Sequence, residues 1–511
     1  MVVTLADSVA DSLAVPLGGV VLALYYLVLS VLALYGFHRL VLLAIYFWTR
    51  GRNPERPADP NPWPRVTVQL PVFNERYVAT RLIDAVCALD YPRDRLEVQV
   101  LDDSTDDTRQ RIAECVERYR HLGFDITHIH RTDRTGYKAG ALAAGCAEAK
   151  GELLAIFDAD FVPPVGFLRQ TVPYFADTNI GVVQARWEHV NRDYSLLTRA
   201  QAIFLDAHFK IEHLARNRAG NFFNFNGTAG IWRRQAITDA GGWEHDTLTE
   251  DLDLSYRAQL AGWKFLFLPD VTAPAELPVD ANAFKRQQFR WAKGSVQTAR
   301  KLLGRVLRSP LPWKTKLEAF IHLTNNSAYL LMIFLSLLVF PAMLLRRHIE
   351  PQTLLRVDLP LFFGATIAVL FYYVISQTMA GDSRRVWRYM PAVMGLGIGL
   401  AVNNARAVVE GLYQRGGVFE RTPKYRIQTR NDRWNRKRYR ARPNLAVVIE
   451  GLFAVYFTLS VALAWMLEMW SSLPFLYLFL HGYWYIFLLT LFGGRLMPTW
   501  RRTASPVVDA T

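Results

Sequence analysis

The chain has 511 residues, more than one small binding module needs, and 51% of them are apolar and 13% aromatic against 20% charged. That balance is richer in apolar groups than soluble domains carry and points to a membrane. Fifty-nine basic residues outweigh 45 acidic ones for a formal charge of +14, which directs attention to anionic partners, while Cys87, Cys115 and Cys146 show no CxxC spacing, excluding a disulfide framework or a thiolate zinc site.

Residues 16–48 are apolar apart from His38 and Arg39, longer than the ~20 residues a spanning helix requires. The preceding residues carry Asp7 and Asp11 and no Lys or Arg, unlike a signal peptide. Basic residues begin at Arg50, Arg52 and Arg56, so the positive-inside rule puts the N-terminus outside and the segment from Gly51 in the cytosol. Residues 328–345, 359–380, 445–469 and 473–492 read as four further spans.

Residues 390–412 read differently. The apolar run from Met390 to Val402 has only 13 residues and then meets Asn403, Asn404, Arg406 and Glu410, which suits an interfacial or re-entrant helix. If it crossed, the loop 413–444, with 11 basic and 2 acidic residues, would lie outside. Five spans result, with Arg501 and Arg502 inside; Arg346, Arg347 and Arg356 in a short outer loop run against the charge rule. Between an interfacial segment and a span, the basic loop suits lipid headgroups or a substrate diphosphate better than nucleic acid.

The organisation expected is therefore residues 1–50 as a transmembrane helix, 51–313 as a cytosolic domain ending in an interfacial helix, 314–385 as two spans, 386–444 as an interfacial helix with a basic loop, and 445–511 as two spans with a tail. Some 19 residues after the last span are too few for a C-terminal regulatory module.

Within the cytosolic domain, strand-like runs at 66–70, 97–101 and 153–157 alternate with helical stretches near 77–89, 107–119 and 139–149. That alternation predicts a largely parallel α/β sheet, whose ligands bind beyond the carboxyl ends of the strands. Each run ends in polar chemistry: Pro71 to Asn74 and Glu75 after the first, Asp102-Asp103-Ser104 after the second, Asp158-Ala-Asp160 after the third. Acid pairs after strands also serve as caps and turns, the reading given to Asp106-Asp107 and left open for Asp102 and Asp103. Asp158 and Asp160 concentrate charge where apolar burial is expected; a hard cation such as Mg²⁺ or Mn²⁺ shared with substrate phosphates relieves that cost.

Neither a P-loop nor a GxGxxG follows a strand, which argues against ATP hydrolysis and dinucleotide chemistry. Gly395, Gly397 and Gly399 suit close helix packing. Thr249-Glu250-Asp251-Leu-Asp253 reads as a helix start with Thr249 as the cap. Gln287-Gln-Phe-Arg290-Trp291 follows amid Lys285, Arg286 and Lys293.

These motifs, in this order and ahead of membrane spans, resemble the signature of the family 2 membrane glycosyltransferases, which include cellulose, chitin and hyaluronan synthases. The stretch from Phe223 through Asn226, Gly227, Gly230, Trp232 and Arg233 to Gly241-Gly242-Trp243, with Trp263-Lys-Phe, most resembles the cellulose-synthase-like mannan and glucomannan synthases of plants and their bacterial relatives. The resemblance spans about residues 60–440. It implies an α/β GT-A, Rossmann-like domain inserted between transmembrane helices. It also implies that Pro71, Asn74, Glu75, Asp102, Asp103 and Lys138 line the nucleotide and that Asp158 and Asp160 hold the donor and its Mg²⁺ or Mn²⁺. Asp251 becomes the general base, Gln287 and Arg290 meet the diphosphate, and Trp291, Glu250, Asn226, Gly227 and Trp243 meet the acceptor. Phe419-Glu-Arg421-Thr422-Pro-Lys424 resembles the FxVTxK gating loop of cellulose synthases, with Arg421 in place of valine.

The chemistry is consistent with that expectation. Inverting transfer from a nucleotide sugar needs one base, and an exposed Asp251 would already be ionised at neutral pH. Trp291 offers a flat apolar face to a sugar ring and Arg290 a bidentate fork to phosphate. The implied protein is an inverting, processive synthase in the plasma or inner membrane that builds a β-linked glucan, mannan or glucomannan from UDP-glucose or GDP-mannose and threads it outward. The alternative in the same fold adds one or a few sugars to a membrane lipid. A transporter with a regulatory nucleotide-binding domain fits less well, since the spans show no internal repeat and only Glu450 and Glu468 as isolated acids.

Overall fold

The computed structural model of the chain describes residues 2–346, 351–382, 384–429, 431–434, 437 and 445–492. Arg347, Arg501, Arg502 and much of the basic loop from 430 to 444 lie outside these residues. A long helix, α1 (Val2–Thr49), leads into an α/β domain whose seven strands are β1 (Val66–Val72), β2 (Leu96–Asp102), β3 (Asp125–His130), β4 (Leu153–Ile156), β5 (Ile180–His189), β6 (Gly230–Arg233) and β7 (Lys264–Ala275). Their order is β3-β2-β1-β4-β6-β5-β7. The first four run parallel, β6 is antiparallel to both its neighbours, and β5 and β7 are parallel.

Burial explains the strands. Val66, Val68, Leu70, Val98, Val100, Leu153 and Ala155 face one core layer, while Leu101, Leu154 and Ile156 face the other. In β1 and β2 the apolar residues alternate with buried Thr67, Gln69, Glu97 and Gln99, whereas β4 is apolar on both faces, and these two patterns made the three strands legible. Pro71 is tolerated because β4 pairs only with Val66 to Gln69, so its missing N–H falls past the end of that ladder. The covering helices α2 (Ala79–Cys87), α3 (Thr108–His121) and α4 (Tyr137–Glu148) stand within two residues of the expected stretches. Beyond them lie α5 (Leu196–Ala207), α6 (Glu250–Leu260) and the 28-residue α7 (Ala281–Arg308).

Helices α8 (Ala328–Leu345), α9 (Ala368–Met379), α10 (Val386–Gly399), α11 (Ala401–Tyr413), α12 (Ala446–Met466) and α13 (Leu473–Phe492) follow among the described residues. Among the described residues six helical segments are long and apolar enough to cross a membrane, one more than the five expected. The sixth is 386–413, α10 and α11 together. Its most apolar window is 78% buried within the protein, against 28% to 39% for the others. Asn403 donates to the Lys285 carbonyl at 2.9 Å and Glu410 meets Lys293 at 3.0 Å, so the polar residues that broke its apolar run bind α7. Gly395 and Gly399 let α10 approach the His481–Ile486 stretch of α13, where added methyls would clash; Gly397 faces open space.

Candidate active site

The parallel strands open their carboxyl ends into one cavity, as this topology requires. Strand β1 supplies Pro71 and, past its end, Phe73 and Glu75; β2 supplies Asp103; β4 supplies Asp158 and Asp160. Lys138 comes from the first turn of α4, Asn226 and Gly227 from the loop before β6, and Glu250 and Asp251 from the first turn of α6. Helix α7 contributes Gln287, Arg290 and Trp291, and the loop after α11 contributes Phe419, Thr422 and Lys424.

Two lysines meet the two carboxylates after β4. Lys138 donates to Asp158 Oδ1 at 2.5 Å and to the Gly227 carbonyl at 2.9 Å. Lys424 donates to Asp160 Oδ2 at 2.5 Å and to the Glu276 carbonyl. Burial opposes the charge on Lys138, but Asp158 and Glu250 outweigh it and hold its amine above the usual value. Asp158 and Asp160 offer only oxygen donors on the cavity wall, the donor type a hard divalent cation takes, each with one oxygen bound to a lysine and the other left for the ion.

Asp251 is only partly buried, with Oδ1 fixed by the Leu252 N–H at 2.8 Å. Opposite it, Gly227 holds φ +78° and comes so close that a Cβ there would lie 2.9 Å from Asp251 Oδ2 and 3.3 Å from Lys138 Nζ. Only glycine combines that backbone angle with that approach. Desolvation and then the Glu250 charge raise the Asp251 carboxyl from 3.8 to about 7, partly opposed by Lys138. The expectation of an exposed, always-ionised carboxylate is thus corrected: protein walls replace the water that would stabilise its charge.

Thr249 stands at the N-cap position of α6, yet its side chain makes no cap bond; its hydroxyl lies 3.3 Å from that of Thr298. The helix is anchored instead by Asp253, buried and bound to Arg257 and Lys301. Asp106 does act as a turn acid, accepting from the Thr108 N–H at 3.0 Å.

Three expected residues do not line the cavity. Asn74, in left-handed backbone, accepts from the Thr105 N–H and ties two loops together. Asp102 is fully buried, its Oδ1 held by the Ser104 N–H at 2.8 Å and its Oδ2 facing His128 and His130. Trp243 packs edge-on to Trp232 at 6.0 Å within the core beneath the sheet.

Sequence reading assigned no role to Arg421, Glu276 and Arg134 on the cavity wall, nor to Tyr137 and Arg131 beside it. Arg421 reaches Glu75 at 3.1 Å; burial nevertheless raises the Glu75 carboxyl to about 8, with Arg421 pulling the other way. Glu276, an acid directly after β7, accepts from the Tyr425 N–H at 2.7 Å and carries the signal seen after β1, β2 and β4, but β7 was not recognised as a strand. Arg134 stacks 3.3 Å from the Phe73 ring centroid and 4.8 Å from that of Tyr137. Tyr137 stacks in turn on Phe419, over which Arg290 sits at 4.3 Å. Arg131 clamps Asp103 with two bonds of 2.8 and 2.6 Å.

Residues 64–294 match the family model described as glycosyltransferase like family 2. Over 270 residues the chain is 46% identical to glucomannan 4-beta-mannosyltransferase 1 of Oryza sativa subsp. japonica, a match covering 52% of this chain and 51% of that protein. The chain thus spans about half the length of that curated relative. Among solved structures, the mannosyltransferase PcManGT from Pyrobaculum calidifontis, in complex with GDP-Man and Mn²⁺, aligns with a TM-score of 0.52 at 24% identity, covering 75% of this chain and 99% of that one. Residues 1–349 of S. aureus TarS with UDP-GlcNAc align at 16% identity, covering 62% and 92% of the two chains, with a TM-score of 0.38. The likeness to PcManGT shows the α/β domain to have the GT-A fold.

Proposed function

With residues 64–294 matching the glycosyltransferase like family 2 model, we propose that this chain is an inverting membrane hexosyltransferase that elongates a β-linked glycan from a nucleotide sugar. The observation that carries the reading is the convergence of Asp158, Asp160, Asp251, Arg290, Trp291 and Lys424 on one cavity from four separated parts of the chain.

Their roles follow from chemistry. Asp251 takes the proton of the attacking acceptor hydroxyl through Oδ2, since Oδ1 is engaged by Leu252. The new bond forms at the anomeric carbon as the bond to the diphosphate breaks on the opposite face, inverting configuration. Asp158 and Asp160 would hold a divalent cation, which when bound would neutralise charge on the departing diphosphate. Lys138, Arg290 and Lys424 add fixed positive charge around the same volume, which costs no reorganisation during the reaction. Trp291 lines the wall where an acceptor sugar would rest, and Gln287 stands with Arg290 toward the diphosphate.

Topology joins this proposal. The α/β domain faces the cytosol, helix 386–413 stays against α7 as an interfacial element, and the product leaves between the other five helices. A mannosyl or glucosyl donor is favoured by the glucomannan relative. The test offers the purified chain in detergent a panel of nucleotide sugars with Mg²⁺ or Mn²⁺ and follows diphosphate release and product. Alcohol-insoluble, glycanase-sensitive polymer, lost in Asp251→Asn, supports the reading. Product extractable only into organic solvent would replace the polymer with a glycolipid, and full transfer by Asp251→Asn would remove the base.

A further inference from the structure

A second cluster of metal-ligating side chains sits at the outer edge of the sheet, off the wall of the transfer cavity. His128 and His130 are two residues apart on the edge strand β3, so the pleat turns both to one face. The register sets His130 against Asp102 and His128 against Val100 of β2. Val98, Val100 and Ile126 lie on that face and belong to the core layer below, so the three polar side chains crown an apolar floor.

One ligand atom from each of Asp102, His128 and His130 lies within 4.8 Å of the others. Asp102 Oδ2 stands 2.9 Å from His128 Nε2 and 3.5 Å from His130 Nδ1. Such separations suit donors sharing one ion at bonds of about 2.0–2.2 Å. The Ser104 N–H on Oδ1 aims the carboxylate, as partners outside a metal shell do. A hydrogen bond to Asp102 accounts for His128 alone; His130 Nδ1 is buried with no hydrogen-bond partner among the described residues, a cost that a ligand would remove.

We propose that Asp102, His128 and His130 bind a divalent transition-metal ion of the zinc class, separately from the oxygen-only pair Asp158 and Asp160. Two imidazoles and a carboxylate select such an ion over Mg²⁺, and three protein ligands leave a position for water. The imidazoles keep 14% and 17% of their surface exposed, giving the ion an entry path from the edge. Occupancy bears on the transfer site through sequence neighbours: Asp103 follows Asp102, Arg131 follows His130, and these two clamp each other with Asp103 on the cavity wall. The ion therefore braces both strand ends that present the clamp and raises nucleotide affinity. The metal site stands independently of the proposed function; its effect on nucleotide affinity rests on that reading.

The experiment uses the full chain in detergent, stripped with chelator and held in excess Mg²⁺ to fill oxygen sites. Titration with Co²⁺ should give one equivalent of visible d–d absorption, displaced by Zn²⁺. His128→Gln and His130→Gln should each weaken Co²⁺ binding by roughly tenfold or more, while Asp158→Asn leaves it unchanged. His130→Cys should add a thiolate charge-transfer band, a gained signal that a misfolded variant does not give. Zn²⁺ should raise the thermal midpoint of the native chain and not that of His130→Gln. Absence of the cobalt bands, or Co²⁺ affinity unaltered in both glutamine variants, would overturn the site.

Discussion

Lys424 Nζ donates to Asp160 Oδ2 at 2.5 Å although 264 residues separate them, so the loop after α11 closes directly on the carboxylates that end β4. Lys424→Met removes the one side-chain cation that meets the Asp160 carboxylate among the described residues, and its bond to the Glu276 carbonyl. We expect kcat/KM for the nucleotide sugar to fall about tenfold or more, equivalent to ~1.4 kcal/mol or more of lost transition-state binding. Lys424→Arg should recover part of it. Steady-state release of nucleoside diphosphate checks both.

Asp251 provides a pH test. A base works only unprotonated, and burial with Glu250 nearby raises its carboxyl to about 7. The sign follows: kcat/KM should decline as pH falls through about 7, tenfold per unit once the acid form dominates, and level off above. Asp251→Asn should cost about 10²–10⁴ in rate and abolish that limb. A profile flat from pH 5 to 8 in the native chain would remove the raised carboxyl from the mechanism.

Gly227→Ala should injure catalysis while the fold survives. Its Cβ would press on Asp251 Oδ2 at 2.9 Å and occupy a backbone angle that side chains resist. The strain is about 1–3 kcal/mol. Activity should drop far more than the thermal midpoint, because the displaced atom is the proposed base. Parallel melting curves and initial rates separate the two effects.

Metal removal gives a further test. Chelation should stop transfer, and Mg²⁺ or Mn²⁺ should restore it. Asp160→Asn should raise the metal concentration needed for half-maximal nucleotide binding by roughly 10- to 100-fold, measured by calorimetry on the purified chain. Unchanged metal dependence in that variant would assign the ion elsewhere.

Lys285 of α7 pairs with Glu450 of α12 at 2.6 Å, the two side chains 2% and 0% exposed. Removing one partner leaves a buried charge alone, so Glu450→Leu should destabilise by about 3–5 kcal/mol. Lys285→Met combined with Glu450→Leu should regain most of that loss, since both charges are then gone. Thermal unfolding in detergent of the three variants reads the coupling.

The order and type of β1, β2 and β4, the carboxylates at their ends, the Thr249-Glu250-Asp251 helix start and the apolar helices were all determined by local sequence, because the alternation of β1 and β2 and the unbroken apolar runs of β4 and the long helices are each written in consecutive residues. Strands β3, β5, β6 and β7 were not legible: half-exposed β3 carries Asp, Thr and His, and the others take their register from neighbours distant in the chain. Only the folded chain decided which polar residues face the cavity. Asp102 and Asp103 are adjacent, yet the pleat sends the first toward His128 and the second to the cavity wall. Likewise the raised carboxyl of Asp251 and the pairing of Lys424 with Asp160 depend on desolvation and on through-space distance, neither of which is a property of a residue and its neighbours in sequence.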